Sequence, residues 1–252
     1  MHKLRLRQAQ QTVPTRDILS EGEFRIVSIA LFLADVAADC GSTAFIFDDP
    51  ISSLDQFFEE KVAERLAELA KSRQVIVFTH RLSLMSALEG SAKKAEMTSR
   101  VIALERQPWG TGEPGEIPLA AQKPRKALHT LLNERLSKAR KAYEEHGWTE
   151  YSPLAKDLCS NTRIVIERLI EHDLLADVVE RFRRPINTEG KLAKVAKVTD
   201  ADCGFLDFMM TKYSKYEHSQ PEEAPVSLPE PDELAKDLQE LSDWLDEFSS
   251  RE

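Results

Sequence analysis

The chain has 252 residues, 31% of them charged, with a formal net charge of −9. That length can bury a substantial core in one or two domains, and the acidic balance excludes a general electrostatic pull on nucleic acid or on an anionic membrane, so any such contact has to be local. Cys40, Cys159 and Cys203 are odd in number, far apart and in no metal-ligand spacing, which fits reduced thiols in a cytosolic protein.

The N-terminal Met1-His-Lys-Leu-Arg-Leu-Arg interleaves charge with Leu and has no apolar h-region, and no run in the chain approaches the roughly 18 apolar residues of a membrane span. The expectation is a cytoplasmic location and no membrane partner. Residues 4–6 read as the end of a strand, and the polar stretch from Gln8 to Thr15, with Pro14, reads as a loop. Ser20 with Glu23 three residues on is a capping-box pattern. It opens a helix expected to run to about Asp39, with Phe24, Val27, Ile29, Ala30, Leu31, Leu33 and Val36 on its apolar face. Residues 43–47, bounded by Gly41 and Asp48, have the length and the β-branched or aromatic content of a buried strand. Phe57 to Ser72 reads as a helix with Val62, Leu66 and Leu69 on one side. Glu59, Glu60, Glu64, Arg65 and Glu68 fall on the other. Gln74 to Phe78 is a second buried strand.

Arg100 to Arg106 reads as an edge strand, followed by a turn cluster from Trp109 to Gly115. From Lys123 the character changes. Residues 124–147 form one long helical pattern and 150–183 one or two more. Residues 187–200 are irregular, 203–218 weakly helical, and 220–231 acidic and Pro-rich. A final amphipathic helix covers 231–248 through Leu234, Leu238, Leu241, Trp244, Leu245 and Phe248. Strands alternating with helices imply an α/β domain built on a parallel sheet. Two domains are therefore expected, α/β over residues 1–120 and all-helical over 121–252.

Four short motifs occur in one order. Leu19-Ser20-Glu21-Gly22-Glu23 starts a helix, Asp48-Asp49-Pro50 ends a strand, Ser52-Ser53-Leu54-Asp55 follows it, and Phe78-Thr79-His80 ends the next strand. At a strand's end, Asp48 suits Mg²⁺ and Asp49 suits the positioning of an attacking water, because phosphoryl transfer depends mainly on positioning and charge neutralisation. A helix start at Ser20 and Gly22 can offer a hydroxyl, N–H groups and the helix dipole to a phosphate. His80 can donate to a γ-phosphate or hold the water. Taken singly, each has a plainer reading: an acidic turn, an ordinary helix cap, a turn histidine.

Residues 17–85 resemble the C-terminal part of the P-loop ATPase domain of SMC-like ABC ATPases, most closely those of the bacterial anticodon-nuclease type. The resemblance implies that Ser20, Gly22 and Glu23 bind, in trans, the γ-phosphate of an ATP held by a partner in a head-to-tail dimer. It implies Mg²⁺ on Asp48, a catalytic acid position at Asp49, an interface-crossing loop at Asp55 and a switch histidine at His80. Glu21 stands where the commoner signature has Gly, and Asp49 where the family usually has Glu, a shortening expected to slow hydrolysis. No G-x-x-x-x-G-K-[ST] phosphate loop occurs in these residues. The site therefore implies ATP and Mg²⁺ as cofactors and a Walker A-bearing chain or N-terminal half as partner, in a DNA- or RNA-associated or phage-defence setting.

In the helical part, Arg163-x-x-x-Glu167 with His218 downstream resembles the HEPN-type nuclease domain of anticodon nucleases, where such residues cleave RNA without metal. An Arg/Glu pair at i, i+4 is also an ordinary helix-surface feature. The stretch Lys123 to Lys141 carries seven Lys or Arg against one Glu, a pattern that suits either a nucleic-acid backbone or a solvated helix face.

Overall fold

The structure, a computed structural model, describes residues 17–37, 43–51, 56–181, 183, 186–216 and 227–251. Contacts divide the chain into two compact units, one holding the described residues up to Arg100 and the other holding nearly all that follow. The chain is α/β and mostly helical, with sheets of two strands each among the described residues.

The first unit runs α1 (Glu21–Ala37), β1 (Phe45–Asp48), α2 (Gln56–Ala70), β2 (Val75–Phe78) and α3 (Leu82–Lys94). Its two strands pair in parallel, with Phe45 opposite Val75 and Asp48 opposite Phe78. A helical crossover between parallel neighbours is what a strand–helix–strand sequence requires. Phe47, Ile51, Val62, Leu66 and Leu84 form the core, joined by Leu33, Leu69 and Leu88. Phe32 meets the rings of Phe45 and Phe47 edge-on at 5.4 and 6.0 Å. The expected apolar face of α1 is only partly used: Val36 is buried, but Phe24 and Phe32 are each 43% exposed. Ile46 on β1 is 66% exposed, although parallel strands are normally covered on both faces.

Two features of this unit depart from the sequence expectation. Glu59, placed there on the water side of α2, is 1% exposed. The residues after His80, unassigned there, form α3. Its start has no side-chain cap, so the usual sequence signal for a helix beginning is missing.

The second unit opens with a hairpin of β3 (Ala103–Gln107) and β4 (Gly110–Gly115), closed by Pro108-Trp109. The expected turn cluster is thus mostly a strand. Its glycines serve an irregular ladder, with a register shift at Glu105/Arg106 and Gly112 at φ 89, a conformation open to glycine at no steric cost. Then come α4 (Pro124–Thr130), α5 (Leu136–His146), α6 (Trp148–Leu169), α7 (Leu192–Val195), α8 (Asp200–Ser214) and α9 (Pro231–Ser250). A π-helical stretch, Leu131–Arg135, joins α4 to α5, and another, Ile170–Leu174, extends α6. Gly147, at φ 74, ends α5 and starts α6: its N–H bonds Tyr143 O at 2.9 Å and its carbonyl accepts from Tyr151 N at 3.2 Å.

The central helix α6 buries Tyr151, Ala155, Leu158, Cys159, Thr162, Val165, Ile166 and Leu169, the three-and-four spacing of one helical face. Leu206, Met209 and Tyr213 of α8 pack against it, and the expected series Leu234, Leu238, Leu241, Trp244, Leu245 and Phe248 of α9, which lies against α4 and α5, joins the same core. Tyr151 Oη donates to Pro229 O at 2.6 Å and is fully buried. Tyr151→Phe therefore leaves an orphaned carbonyl, and urea denaturation is expected to show a loss of about 1 kcal/mol. Among the described residues, no helix is long and apolar enough to cross a membrane.

Candidate functional site

The parallel pairing of β1 and β2 puts their C-terminal ends side by side, and the residues just beyond them meet. Asp49 N donates to Phe78 O at 2.8 Å. Thr79 Oγ1 donates to Asp49 Oδ1 at 3.1 Å, and His80 Nδ1 lies 3.1 Å from Asp49 Oδ2. Both oxygens of one carboxylate are thus held by consecutive residues of the neighbouring strand's end. Asp49 has φ 41, a left-handed conformation that costs an L-residue roughly 1 kcal/mol and that Asp tolerates better than most. Carboxyl ends of parallel strands are where open α/β sheets place their ligands.

Asp48, the last residue of β1, is exposed. With Asp49, Pro50, Ile46 and Phe47 it borders an open depression of about 320 Å³, whose other wall is Arg25, Ser28 and Ile29 of α1. A magnesium ion is commonly held by one or two carboxylates together with phosphate and water oxygens. A single exposed carboxylate at the strand end suits that mode, and no cluster of three or more candidate metal ligands occurs among the described residues.

Ser20, Gly22 and Glu23 form the start of α1 and do not line this depression. Ser20 N and Oγ donate to Glu23 Oε2 at 2.9 and 2.8 Å, and Glu23 N donates to Ser20 Oγ at 3.3 Å. That is a complete capping box. The backbone N–H and then the hydroxyl of Ser20 pull the Glu23 carboxyl below its usual range. The Ser20 hydroxyl is thus engaged within its own first turn. In Ser20→Ala, hydrogen exchange of the Glu23 and Phe24 amides is expected to quicken roughly fivefold, the loss of one ordinary N-cap. Glu21 pairs with Arg25 at 3.4 Å. Asp55, with Ser52 to Leu54, lies outside the described residues.

A group that sequence reasoning missed stands behind the Asp49–His80 pair. Buried Glu59 of α2 pairs with Arg81 at 2.7 Å and accepts from Ser83 Oγ at 3.1 Å. Its spacing is a signal, since Glu59 stands three and seven residues before the buried Val62 and Leu66 on one face of α2, but its partners belong to α3 and the loop before it.

In the second unit, Arg163 and Glu167 do meet, at 3.0 Å on α6. Glu167 also pairs with Arg181 at 2.7 Å, and Arg181 with Glu171 at 2.6 Å. Arg163 Nε lies 3.3 Å from Ser214 Oγ near the end of α8. His218 lies outside the described residues. His172, which drew no attention in the sequence, sits 3.5 Å from Asp173 and 4.0 Å from Asp177. The neighbouring Asp173 carboxylate raises its pKa in spite of its burial. The basic stretch of α4 and α5 is tied to neighbouring helices: Arg125 to Asp246, Arg135 to Asp157 at 3.0 Å and Arg140 to Asp232 at 2.8 Å. Three of its cations therefore serve interhelical ion pairs, a use that neither expectation named.

Comparison of the chain with protein-family models, with curated proteins and with solved structures gives no match.

Proposed function

We propose that the first unit is the C-terminal part of an ABC-type ATPase domain and supplies one part of a composite ATP site. The observation that supports this best is the Asp49–His80 pair, set 3.1 Å apart by parallel strands at their carboxyl ends. In this reading Asp49 and His80 orient the attacking water, the imidazole facing the γ-phosphate. Asp48 holds Mg²⁺, which when bound neutralises charge on the phosphates. Ser20, Gly22 and Glu23 offer the start of α1, and its dipole, to a nucleotide held by a partner in a head-to-tail dimer. Asp55 belongs to the loop at that interface. The phosphate loop comes from outside these residues, in a Walker A-bearing chain or N-terminal half. The exposed apolar side chains Ile46, Phe24 and Phe32 support an incomplete unit of this kind.

A nucleic-acid-associated or defence role follows from the sequence resemblance alone. No activity is proposed for the second unit, where Glu167 pairs with both Arg163 and Arg181.

The proposal is tested by sedimentation of the chain with the polypeptide encoded immediately upstream. The expected result is a complex that forms with Mg²⁺-ATP and is lost in Ser20→Arg, which blocks the start of α1. Association indifferent to nucleotide and to that substitution would count against a shared site.

A further inference from the structure

Burying a carboxylate costs several kcal/mol unless its partners compensate, so a buried glutamate calls for an account of what it fixes. Glu59 is 1% exposed, and one oxygen, Oε1, takes both Arg81 Nη2 at 2.7 Å and Ser83 Oγ at 3.1 Å. Arg81 directly follows His80. Its backbone N–H donates to Thr79 Oγ1 at 3.1 Å, and that hydroxyl in turn donates to Asp49 Oδ1 at 3.1 Å. The three residues Thr79, His80 and Arg81 are therefore pinned at both ends, to Asp49 on one side and to Glu59 on the other. His80 itself is exposed over 80% of its side chain, with Nδ1 3.1 Å from Asp49 Oδ2. Packing does little to hold such a ring, so its orientation depends on where the backbone on either side is fixed.

We propose that Glu59 is a positioning residue for the Asp49–His80 pair, acting through Arg81 to hold the imidazole with Nδ1 toward Asp49 and Nε2 toward solvent. A hydrogen bond from Nδ1–H to a carboxylate fixes the neutral tautomer and leaves the Nε2 lone pair outward as an acceptor. That is the atom an attacking water meets as a donor. The meaning of this orientation for catalysis rests on the ATPase reading; the orientation does not.

The test is nitrogen NMR of the ¹⁵N-histidine-labelled full chain at alkaline pH, with the His80 signals assigned by their loss in His80→Gln. In the unaltered chain the Nδ1–H form is expected to be the major tautomer. In Glu59→Gln, which keeps the shape and removes the charge, and in Arg81→Gln, which leaves α2 untouched, it becomes the minor one. Ser83→Ala, which removes only the second hydrogen bond to Glu59, leaves it major. Should Glu59→Gln fail to fold, Arg81→Gln alone decides. A His80 tautomer balance unmoved by Arg81→Gln overturns the proposal, as does an Nε2–H form already dominant in the unaltered chain. A tautomer that moves as expected in a chain that never gains ATP turnover would uphold the positioning role and count against the ATPase reading, so the two fail separately.

Discussion

Asp202→Ala is expected to cost the second unit about 3 kcal/mol, near the upper end for a single polar group. The carboxylate is 1% exposed. It accepts from Thr199 N at 2.8 Å, Thr199 Oγ1 at 2.7 Å, Trp244 Nε1 at 2.9 Å and Arg251 Nη1 at 2.6 Å. One side chain thus completes the capping box of α8, satisfies a buried indole in α9 and anchors the residue after α9. Burial pushes the Asp202 carboxyl up, but the hydrogen bonds from Arg251, Thr199 and Trp244 outweigh it and hold the pKa well below its ordinary value of 3.8. A lowered carboxyl pKa stabilises the folded state above the ordinary value, and that contribution is lost as pH falls through it toward the lowered one. The stability of the unaltered chain should therefore fall below about pH 4 more steeply than that of Asp202→Asn. Urea midpoints across that range measure both effects. A loss under about 0.5 kcal/mol in Asp202→Ala would show that the network does not hold the helices together.

Asp49→Asn and His80→Ala are each expected to lower ATP turnover by the completed site at least about 100-fold, the usual scale for removing a group that orients a proton or a developing charge. Asp49→Asn keeps the shape of the side chain and an acceptor for Thr79, so a loss there traces to charge. Single-turnover hydrolysis separates this from a loss of binding: the chemical step slows while nucleotide affinity stays within a few-fold. Loss of affinity with unchanged chemistry would place Asp49 on the ground-state nucleotide instead.

Asp49 and His80 were legible because each ends an apolar run of strand length, and two such runs separated by a helix pair in parallel with their ends adjacent. Helix α9 was legible for a similar reason, since the spacing of Leu234, Leu238, Leu241 and Leu245 is a property of the sequence itself, whereas α7 falls in a stretch read as irregular. The partners of Glu59 and Asp202 were not legible. Both are acidic residues whose burial depends on partners elsewhere in the fold, Arg81 for one and Arg251 with Trp244 for the other. Glycine content marked residues 109–115 as a turn, but it is cross-strand pairing with β3 that makes most of them a strand. The resemblance supplied the roles of Ser20, Gly22 and Asp55, and the geometry of Ser20 adds a local use for its hydroxyl in the capping box.

We propose that this chain holds part of an ATP site completed from outside its 252 residues. ATP turnover by the purified chain, alone and mixed with the polypeptide encoded immediately upstream, tests it most directly, with Asp49→Asn as the control for contaminating ATPase. Turnover is expected in the mixture only, abolished by Asp49→Asn. Equal turnover with and without the second polypeptide, or none in either case, would contradict it.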